Sequence, residues 1–263
     1  MTLGQETEQQ RSKRRYQRAL FDGVAGLYHA SRPGYPPRMV EFVVATAGLD
    51  AGGAVLEVGC GTGQLTEPLA HFGFGLTAID IGPSMIAAAR RRLAGAAVSF
   101  EVASFEELDR ADATFDLIIS GAAFHWIDPE VRFAKSARLL RPGGWLAVLD
   151  IGERYDDPLG AALAGMWAAR DDTGGAWVTR APDAEVIAGT GLFGAPVCRA
   201  DRQRFTRPAE VVIDVENTRA TSLSWPDDAR QEFSQELRRH LGSAAQAHLT
   251  LETTVTMAPV PRK

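Results

Sequence analysis

The chain has little of several features that would narrow its function at once. Its 263 residues include two cysteines, Cys60 and Cys198, which is too few for a disulfide framework, and no cysteine–histidine group has zinc-site spacing. No apolar run reaches the length of a membrane span, and residues 1–18 contain no apolar stretch of the kind that a secretory signal requires. We therefore expect a protein of the reducing cytoplasm that needs neither a membrane nor a resident metal ion.

The chain also lacks an excess of positive charge. Its 28 Lys and Arg residues stand against 33 Asp and Glu, and the net charge of −5 argues against a nucleic-acid partner. A basic cluster in residues 1–18 includes Arg11, Arg14 and Arg18. An RNA- or phosphate-binding arm is one interpretation, but the acidic total favours a solvated, partly disordered terminus.

Apolar runs and helical segments alternate between Ala54 and Asp150. The runs AVLEV, LTAID, VSFEV, FDLIIS and WLAVLD read as five short strands. Ser84 and Asp128 are expected to cap two of the helices between them, and Arg141–Gly144 (RPGG) reads as a turn. Strands separated by helices predict right-handed βαβ units and a doubly wound parallel sheet.

The remaining residues carry a weaker pattern. Residues 158–170, 208–220 and 227–241 read as helices, and residues 196–206 and 248–258 alternate as strands do. Because no linker or repeat separates them from the sheet, we expect a helical insertion in the same domain. The tryptophans of this part, for which we expect core positions, are Trp167, Trp177 and Trp225.

A glycine-rich turn, Gly59-Cys60-Gly61-Thr62-Gly63, follows the first strand. Ligands of open parallel sheets bind beyond the carboxyl ends of the strands, and glycine lets the backbone approach a ligand that a Cβ atom would block. Asp80 ends the next strand, 21 residues after Gly59. A carboxylate at that place can accept hydrogen bonds from the two hydroxyls of a ribose, so the spacing predicts an adenosine-like ligand.

Three kinds of adenosine ligand compete for this turn. A phosphate-binding NTPase loop requires a lysine that is absent here, and a dinucleotide fold requires a third glycine where Gln64 stands. Glu57 would also place a negative charge near a pyrophosphate. A ligand with an ammonium group suits Glu57 better, and S-adenosylmethionine (SAM) is such a ligand.

Four motifs occur in an order that resembles the class I SAM-dependent methyltransferases. They are EVGCGTG, AIDIGPSM, FDLIIS and LRPGG, within residues 57–144. FDGVAGLYHASRPGYP at 21–36 and SGAAFHWID at 120–128 resemble the small-molecule branch that includes trans-aconitate methyltransferase-like proteins. The resemblance covers about residues 21–150, whereas the tail matches only loosely.

The resemblance implies an α/β fold with a doubly wound, mostly parallel, seven-stranded Rossmann-like sheet whose last strand is antiparallel. An N-terminal arm and lid would span residues 1–40, and the SAM-binding core would span 41–150. Residues 151–263 would form a helical cap insertion and the final strands of the same domain. The protein would act as a monomer or homodimer.

The resemblance also implies which residues contact SAM. Those expected near the methionine part and the ribose are Glu57, Gly59, Gly61, Gly63 and Asp80. Those expected near the adenine are Ile81, Met85, Ser104 and Phe105. Those expected in the lid or beside the transferable methyl are Tyr28, Arg32, Ser120 and Gly121. Many relatives have Asp in place of Ser104, so adenine recognition here is expected to depend more on backbone groups.

His125 and Trp126 follow the fourth strand, near the expected position of the methyl. We expect His125 to act as a catalytic or orienting group, with a structural role as the alternative. Trp126 is expected to form one wall of a substrate pocket. The sequence thus predicts methyl transfer from SAM to an oxygen of a small molecule, with a carboxylate implied by resemblance. The alternatives are a nitrogen or carbon acceptor, or a non-catalytic SAM-binding regulatory protein.

Overall fold

One seven-stranded sheet organises the chain, of which the computed structural model describes residues 6–170 and 184–262. The strand order is β3-β2-β1-β4-β5-β7-β6. The pairs among β1 to β5 are parallel, whereas β7 pairs antiparallel with both β5 and β6. The strands are β1 (Ala54–Val58), β2 (Gly75–Asp80), β3 (Val98–Val102), β4 (Phe115–Gly121), β5 (Leu140–Tyr155), β6 (Val197–Pro208) and β7 (Gln246–Pro259). The predicted mostly parallel sheet with an antiparallel last strand is confirmed.

Helices precede the sheet, connect its strands and form the insertion. Those before and within the core are α1 (Glu8–Leu20), α2 (Ala25–Ser31), α3 (Pro37–Ala47), α4 (Thr66–Ala70), α5 (Pro83–Arg92) and α6 (Arg132–Leu139). Those after it are α7 (Leu159–Ala168), α8 (Ala184–Gly189), α9 (Ala209–Asn217), α10 (Ala220–Leu223) and α11 (Asp227–Leu241). Short 3₁₀ helices span Phe21–Val24 and Phe124–Trp126. None of the described helices combines the length and the apolar content that a bilayer span requires.

Both faces of the sheet are buried, as the alternation of side chains along each strand requires. Leu56 and Val58 of β1 enter one core with Ile118 of β4, whereas Val55 enters the other core with Leu117. The carboxyl ends of β1, β2 and β4 therefore meet at one edge of a sheet that is covered on both sides. The glycine turn lies at that edge.

The insertion has an apolar core of its own on the extended ends of β5 and β7. Trp167 of α7 packs against Trp225 and against Phe233 of α11, with ring centroids 5.0 Å and 5.1 Å away. Trp167 is buried and Trp225 is half-buried against the same cluster, which confirms their predicted core positions. Trp177 lies outside the described residues.

Three boundaries differ from the sequence-based predictions. Ser84 does not cap α5; its backbone N–H donates instead to Asp22 Oδ1 at 2.7 Å. Asp128 does not cap α6, which begins only at Arg132; its Oδ1 accepts the N–H of Glu130 at 3.0 Å and so starts the turn that precedes the helix. The segment Arg141–Gly144, predicted as a turn, belongs to β5 but forms an irregularity in it, because the pairing with β4 passes from Leu140 opposite Phe115 to Trp145 opposite Leu117.

The basic N-terminal segment is ordered from residue 6 onward, so the expectation of a solvated terminus was wrong for this part. Arg14 of α1 is 8% exposed, and it pairs with Glu6 at 2.9 Å and donates to the Trp126 carbonyl at 2.8 Å. Arg18 pairs with Glu106 at 2.7 Å. The charges of these two arginines are paired within the protein, and their contacts hold α1 against the loop that follows β4.

Candidate functional site

Two clefts meet at the carboxyl edge of the sheet. The first holds about 730 Å³ and the second about 550 Å³. The two linings have five residues in common, which are Tyr28, Gly59, Gly61, Gly121 and Ala122. The structure therefore offers one elongated site with two compartments and a shared middle.

The three glycines of the turn differ in their roles. Gly59 has φ +73°, and a Cβ atom there would lie 2.3 Å from the Cβ of Ala123. Gly61 has φ +54° and no atom within 4 Å of the Cβ position, so its bare backbone faces open space. Gly63 lines neither cleft; a Cβ there would meet Leu93 at 3.2 Å. This corrects the prediction for Gly63, which instead lets the turn pack closely against the end of α5.

Asp80 lies at the end of β2 in the first cleft. Its Oδ2 accepts the N–H of Gly61 at 2.9 Å, and its Oδ1 accepts the N–H of Gly82 at 2.8 Å. Burial raises the pKa of this carboxyl, and the two amides oppose that shift. Each carboxylate oxygen keeps further acceptor capacity, so Asp80 is held rigidly where it can also accept from two hydroxyls of a ligand.

Apolar and aromatic residues form the rest of the first cleft. Those predicted near the adenine that do line it are Ile81, Met85 and Phe105. Ser104 does not line either cleft. Its hydroxyl accepts the N–H of Glu107 at 3.2 Å and starts the turn after β3, which corrects the prediction for its side chain. The neighbouring Ala103 lines the cleft in its place.

Glu57 provides an unusual group in the second cleft. It is 1% exposed, and its Oε2 has no hydrogen-bond partner within residues 6–170 and 184–262. Burial raises the pKa of Glu57 to about 8; the nearby Thr66 hydroxyl opposes this shift, and the nearby charge of Asp80 adds to it. The amide Nε2 of Gln64, in the same cleft, likewise has no partner in the described part of the chain. A buried acceptor and a buried donor without partners fit a ligand that carries both an ammonium and a carboxylate group.

The lid residues Tyr28 and Arg32 come from α2 and its end. Tyr28 lines both clefts, and Arg32 lines the second. The Arg32 guanidinium lies 5.3 Å from the centroid of the Tyr28 ring and donates to the Thr218 hydroxyl at 3.0 Å and carbonyl at 2.9 Å. Arg32 thus ties the lid to the end of α9, so much of its donor capacity is used within the protein.

The residues predicted around the methyl position separate in the structure. The Ser120 hydroxyl is fully buried and donates to the Val58 carbonyl at 2.8 Å, so it joins β4 to β1 and lines neither cleft. His125 also lines neither cleft; its ring centroid lies 4.7 Å from that of Trp126. Trp126 lines the first cleft, with Asp80, and not the second. These placements correct the cofactor contact predicted for Ser120, and they put His125 behind Trp126.

Further residues line the site without having been predicted to do so. Arg18 and Glu106 form an ion pair at the first cleft, and Tyr35 and Glu153 line the second. The motif RPGYP contains Tyr35 and could have drawn attention to it. Glu153 and Arg18 lie in segments without a recognisable motif, and their positions depend on long-range packing.

The central segment of the chain matches a known family. A family model described as a methyltransferase domain covers residues 56–148. Residues 56–148 are therefore similar to methyltransferase domains. An uncharacterized methyltransferase of Mycobacterium tuberculosis is 33% identical over 129 residues, which are 49% of this chain and 51% of that protein. The malonyl-[acyl-carrier protein] O-methyltransferase of Anoxybacillus flavithermus is 41% identical over 113 residues, which are 42% of this chain and 43% of that protein.

The fold as a whole also has a solved counterpart. The solved structure of a proposed type II methyltransferase from Anaeromyxobacter dehalogenans matches 88% of this chain over 99% of its own length. The TM-score is 0.58 and the sequence identity 24%, so the likeness concerns the fold. The chain spans about half the length of the curated relatives that it matches. The family match and these relatives support a class I SAM-dependent methyltransferase and leave the branch within that class open.

Proposed function

We propose that the chain is a SAM-dependent methyltransferase that acts on an oxygen atom of a small molecule. The observation that carries the proposal is that Asp80 lines one cleft and Glu57 lines the other, on either side of a bare glycine turn, and that Glu57 Oε2 lacks a hydrogen-bond partner in the described part of the chain. SAM consists of an adenosine and an amino acid joined by a sulfonium, and its two ends differ in chemistry as the two clefts do.

Each compartment fits one end of this cofactor. In the first, Asp80 would hold the ribose hydroxyls while Ile81 and Phe105 would pack on the adenine. In the second, Glu57 would bind the ammonium group, and the amide of Gln64 would donate to the carboxylate. The sulfonium would then lie in the shared middle, beside Gly59 and Gly121.

The chain has to position two reactants and keep water away from them. When bound, SAM supplies a methyl group that is already activated on a sulfonium. Tyr28 of the lid lines both clefts, and Arg32 joins the lid to the end of α9. Holding donor and acceptor in line can contribute about 7–11 kcal/mol in favourable cases. We infer that closure by the lid contributes through this effect.

An oxygen acceptor is favoured over nitrogen or carbon. The name of the Anoxybacillus relative describes an O-methyltransferase, and its alignment lies at 41% identity. A carboxylate acceptor also fits the position of His125 away from both clefts, because a group with a reference pKa near 4 is ionised at neutral pH and needs no base. A non-catalytic SAM-binding protein of the same fold is the alternative from a different class.

A labelling experiment tests the proposal. The purified protein is incubated with methyl-labelled SAM and, separately, with metabolite, RNA and protein fractions. We expect label in the metabolite fraction, in products that lose it under the mild alkali that cleaves methyl esters. Asp80→Ala serves as the inactive control. Label in the RNA or protein fraction would contradict the small-molecule proposal, and SAM binding without any transfer would favour the non-catalytic alternative.

A further inference from the structure

The side chain of Tyr35 reaches the shared middle of the two clefts from the lid. A Cβ atom on Gly121 would lie 2.5 Å from Tyr35 Oη and 2.7 Å from Cζ, so the phenol lies directly against the bare Cα of this glycine. Gly121 ends β4 and lines both clefts, whereas Tyr35 lines the second. The hydroxyl is thus placed beside the point where the two compartments join.

The Tyr35 ring is held firmly, but its hydroxyl has no protein partner. The ring packs against the core that contains Leu65, and Pro36 follows it directly in the chain. Tyr35 Oη makes no hydrogen bond within the described ranges 6–170 and 184–262. Tyr35 is half-buried and lines the second cleft, so a ligand bound there lies within reach of its hydroxyl.

The chemistry of SAM indicates which of its groups would lie next to the Tyr35 hydroxyl. This step rests on the proposed function, since it takes SAM as the ligand. With the adenosine at Asp80 and the amino acid at Glu57, the sulfonium has to lie between them, at the residues that line both clefts. The hydrogens of a methyl group on a sulfonium carry partial positive charge and make C–H···O contacts with a nearby oxygen. Gly121 leaves the space that such an approach requires.

We propose that Tyr35 is a positioning residue whose phenol oxygen contacts the transferable methyl group of SAM and aligns it toward the acceptor. Burial raises the pKa of Tyr35 well above its usual range, and the neighbouring ionisable groups of Tyr28, Asp150 and Glu57 add to the shift. The group therefore stays a neutral phenol at physiological pH, and it can orient the methyl without acting as a base or a nucleophile.

The test compares SAM with S-adenosylhomocysteine, which has the same adenosine and amino acid but neither the methyl nor the positive charge. Calorimetry gives both dissociation constants for the wild type, for Tyr35→Phe and for the matched control Tyr16→Phe, which removes a hydroxyl from a side chain that is 57% exposed. We expect Tyr35→Phe to weaken SAM binding by about two- to fivefold, the range for a C–H···O contact, with S-adenosylhomocysteine binding unchanged. Tyr16→Phe should alter neither.

A spectroscopic measurement adds a signal that a merely structural role would not change. With ¹³C-methyl SAM, the bound methyl proton resonance should move upfield in Tyr35→Phe, because the ring remains and only the oxygen is lost. If the wild type binds neither ligand, the proposed function fails and this inference fails with it. If both ligands bind and Tyr35→Phe changes neither their affinity ratio nor the methyl resonance, the inference alone is overturned.

Discussion

Asp22 caps a helix that belongs to a different part of the chain. Its Oδ1 accepts the backbone N–H of Ser84 at 2.7 Å, and also that of Met85 at 3.2 Å. Asp22 lies in the lid and α5 lies in the core, so a single carboxylate satisfies two free donors of the helix and fixes the lid to it. Gly82 makes this approach possible, because a Cβ there would lie 2.6 Å from Asp22 Oδ1.

Removal of this cap should loosen the lid. For Asp22→Ala we expect a loss of about 1 kcal/mol in the free energy of unfolding, as for other lost caps, measured by urea titration. Asp22→Asn keeps an acceptor oxygen and should lose less. Hydrogen exchange at Tyr28 should become faster in Asp22→Ala and should slow again when S-adenosylhomocysteine binds. If the exchange rate at Tyr28 is the same in the wild type and in Asp22→Ala, with and without S-adenosylhomocysteine, the lid does not cover the site.

The ribose contact can be tested with a matched carboxylate. For Asp80→Ala we expect SAM affinity to fall at least about tenfold, since hydrogen bonds to a charged group contribute roughly 1.5–3 kcal/mol each. Asp116 also accepts a backbone amide, that of Ala54 at 2.8 Å, but lies outside both clefts. Asp116→Ala should therefore cost stability without affecting SAM binding. A folded Asp80→Ala protein with unchanged affinity in calorimetry would refute the site assignment.

Glu57 should couple cofactor binding to proton release. With a pKa of about 8 in the free protein, its carboxyl is mostly protonated at pH 7, whereas an ammonium ligand requires the ionised form. Because the raised pKa favours the protonated form, affinity should rise by up to about tenfold per pH unit from pH 6 to 8. Above pH 8 the gain should end, since an α-amino group loses its own proton near pH 7.7–8.0.

Calorimetry in buffers of different ionisation enthalpy measures this release directly. Close to one proton per SAM is expected at pH 7 for the wild type and close to none for Glu57→Gln. The ligand 5′-methylthioadenosine lacks the amino acid and should release none from either protein. Equal proton release by SAM in both proteins would show that another group titrates.

Local patterns were enough to predict the five parallel strands and the two ends of the proposed cofactor site, whereas the antiparallel last strand was expected from the resemblance. The strand-to-turn position of Gly59 and Gly61 and the strand-end position of Asp80 follow from periodicity and spacing alone. Glu57 was predicted because a carboxylate inside an apolar strand is costly to bury unless it has a binding partner. In each case the backbone position determines where the group lies.

Side-chain direction and long-range packing could not be predicted in the same way. Ser104 and Ser120 lie beside the clefts, but their hydroxyls turn to Glu107 and to the Val58 carbonyl. Arg14 resembled a solvated charge, although its partners are 8 residues away at Glu6 and 112 residues away at Trp126. Such contacts depend on the topology, which brings together segments that are distant in the sequence, and a local pattern contains no information about them.

The position of His125 predicts a small effect on catalysis. Because it lies behind Trp126 and lines neither cleft, His125→Asn should leave SAM affinity within about twofold. Once an acceptor is found, the single-turnover rate of His125→Asn at saturating SAM should be less than about tenfold below that of the wild type. The wild-type rate at saturating SAM should be nearly flat between pH 6 and 8. A thousandfold loss, with a rate that climbs through the histidine pKa, would be the size of general-base catalysis and would indicate a hydroxyl or phenol acceptor.

Breaking a buried ion pair beside the second cleft should destabilise the fold. Arg207 of β6 is 4% exposed and Glu153 of β5 is 3% exposed, and their charged groups meet at 2.7 Å. The Tyr155 hydroxyl donates to Glu153 at 3.3 Å and accepts from Arg207 at 3.1 Å. Removing one partner leaves the other charge buried without compensation, so Arg207→Met should cost about 3–5 kcal/mol of unfolding free energy.

An exposed ion pair serves as a control for the buried one. A double variant that removes both buried charges then shows how much of the loss comes from leaving one charge buried without its partner. Arg202 lies on β6, as Arg207 does, and pairs with Glu252 of β7 at 2.8 Å, but it is 72% exposed. Arg202→Met should therefore cost less than about 1 kcal/mol. Glu153→Leu with Arg207→Met removes both buried charges and should recover most of the loss, because apolar replacements of a whole buried pair are often neutral. Urea titration of the four proteins tests this, and a double variant no more stable than Arg207→Met would mean that the pair itself stabilises the fold.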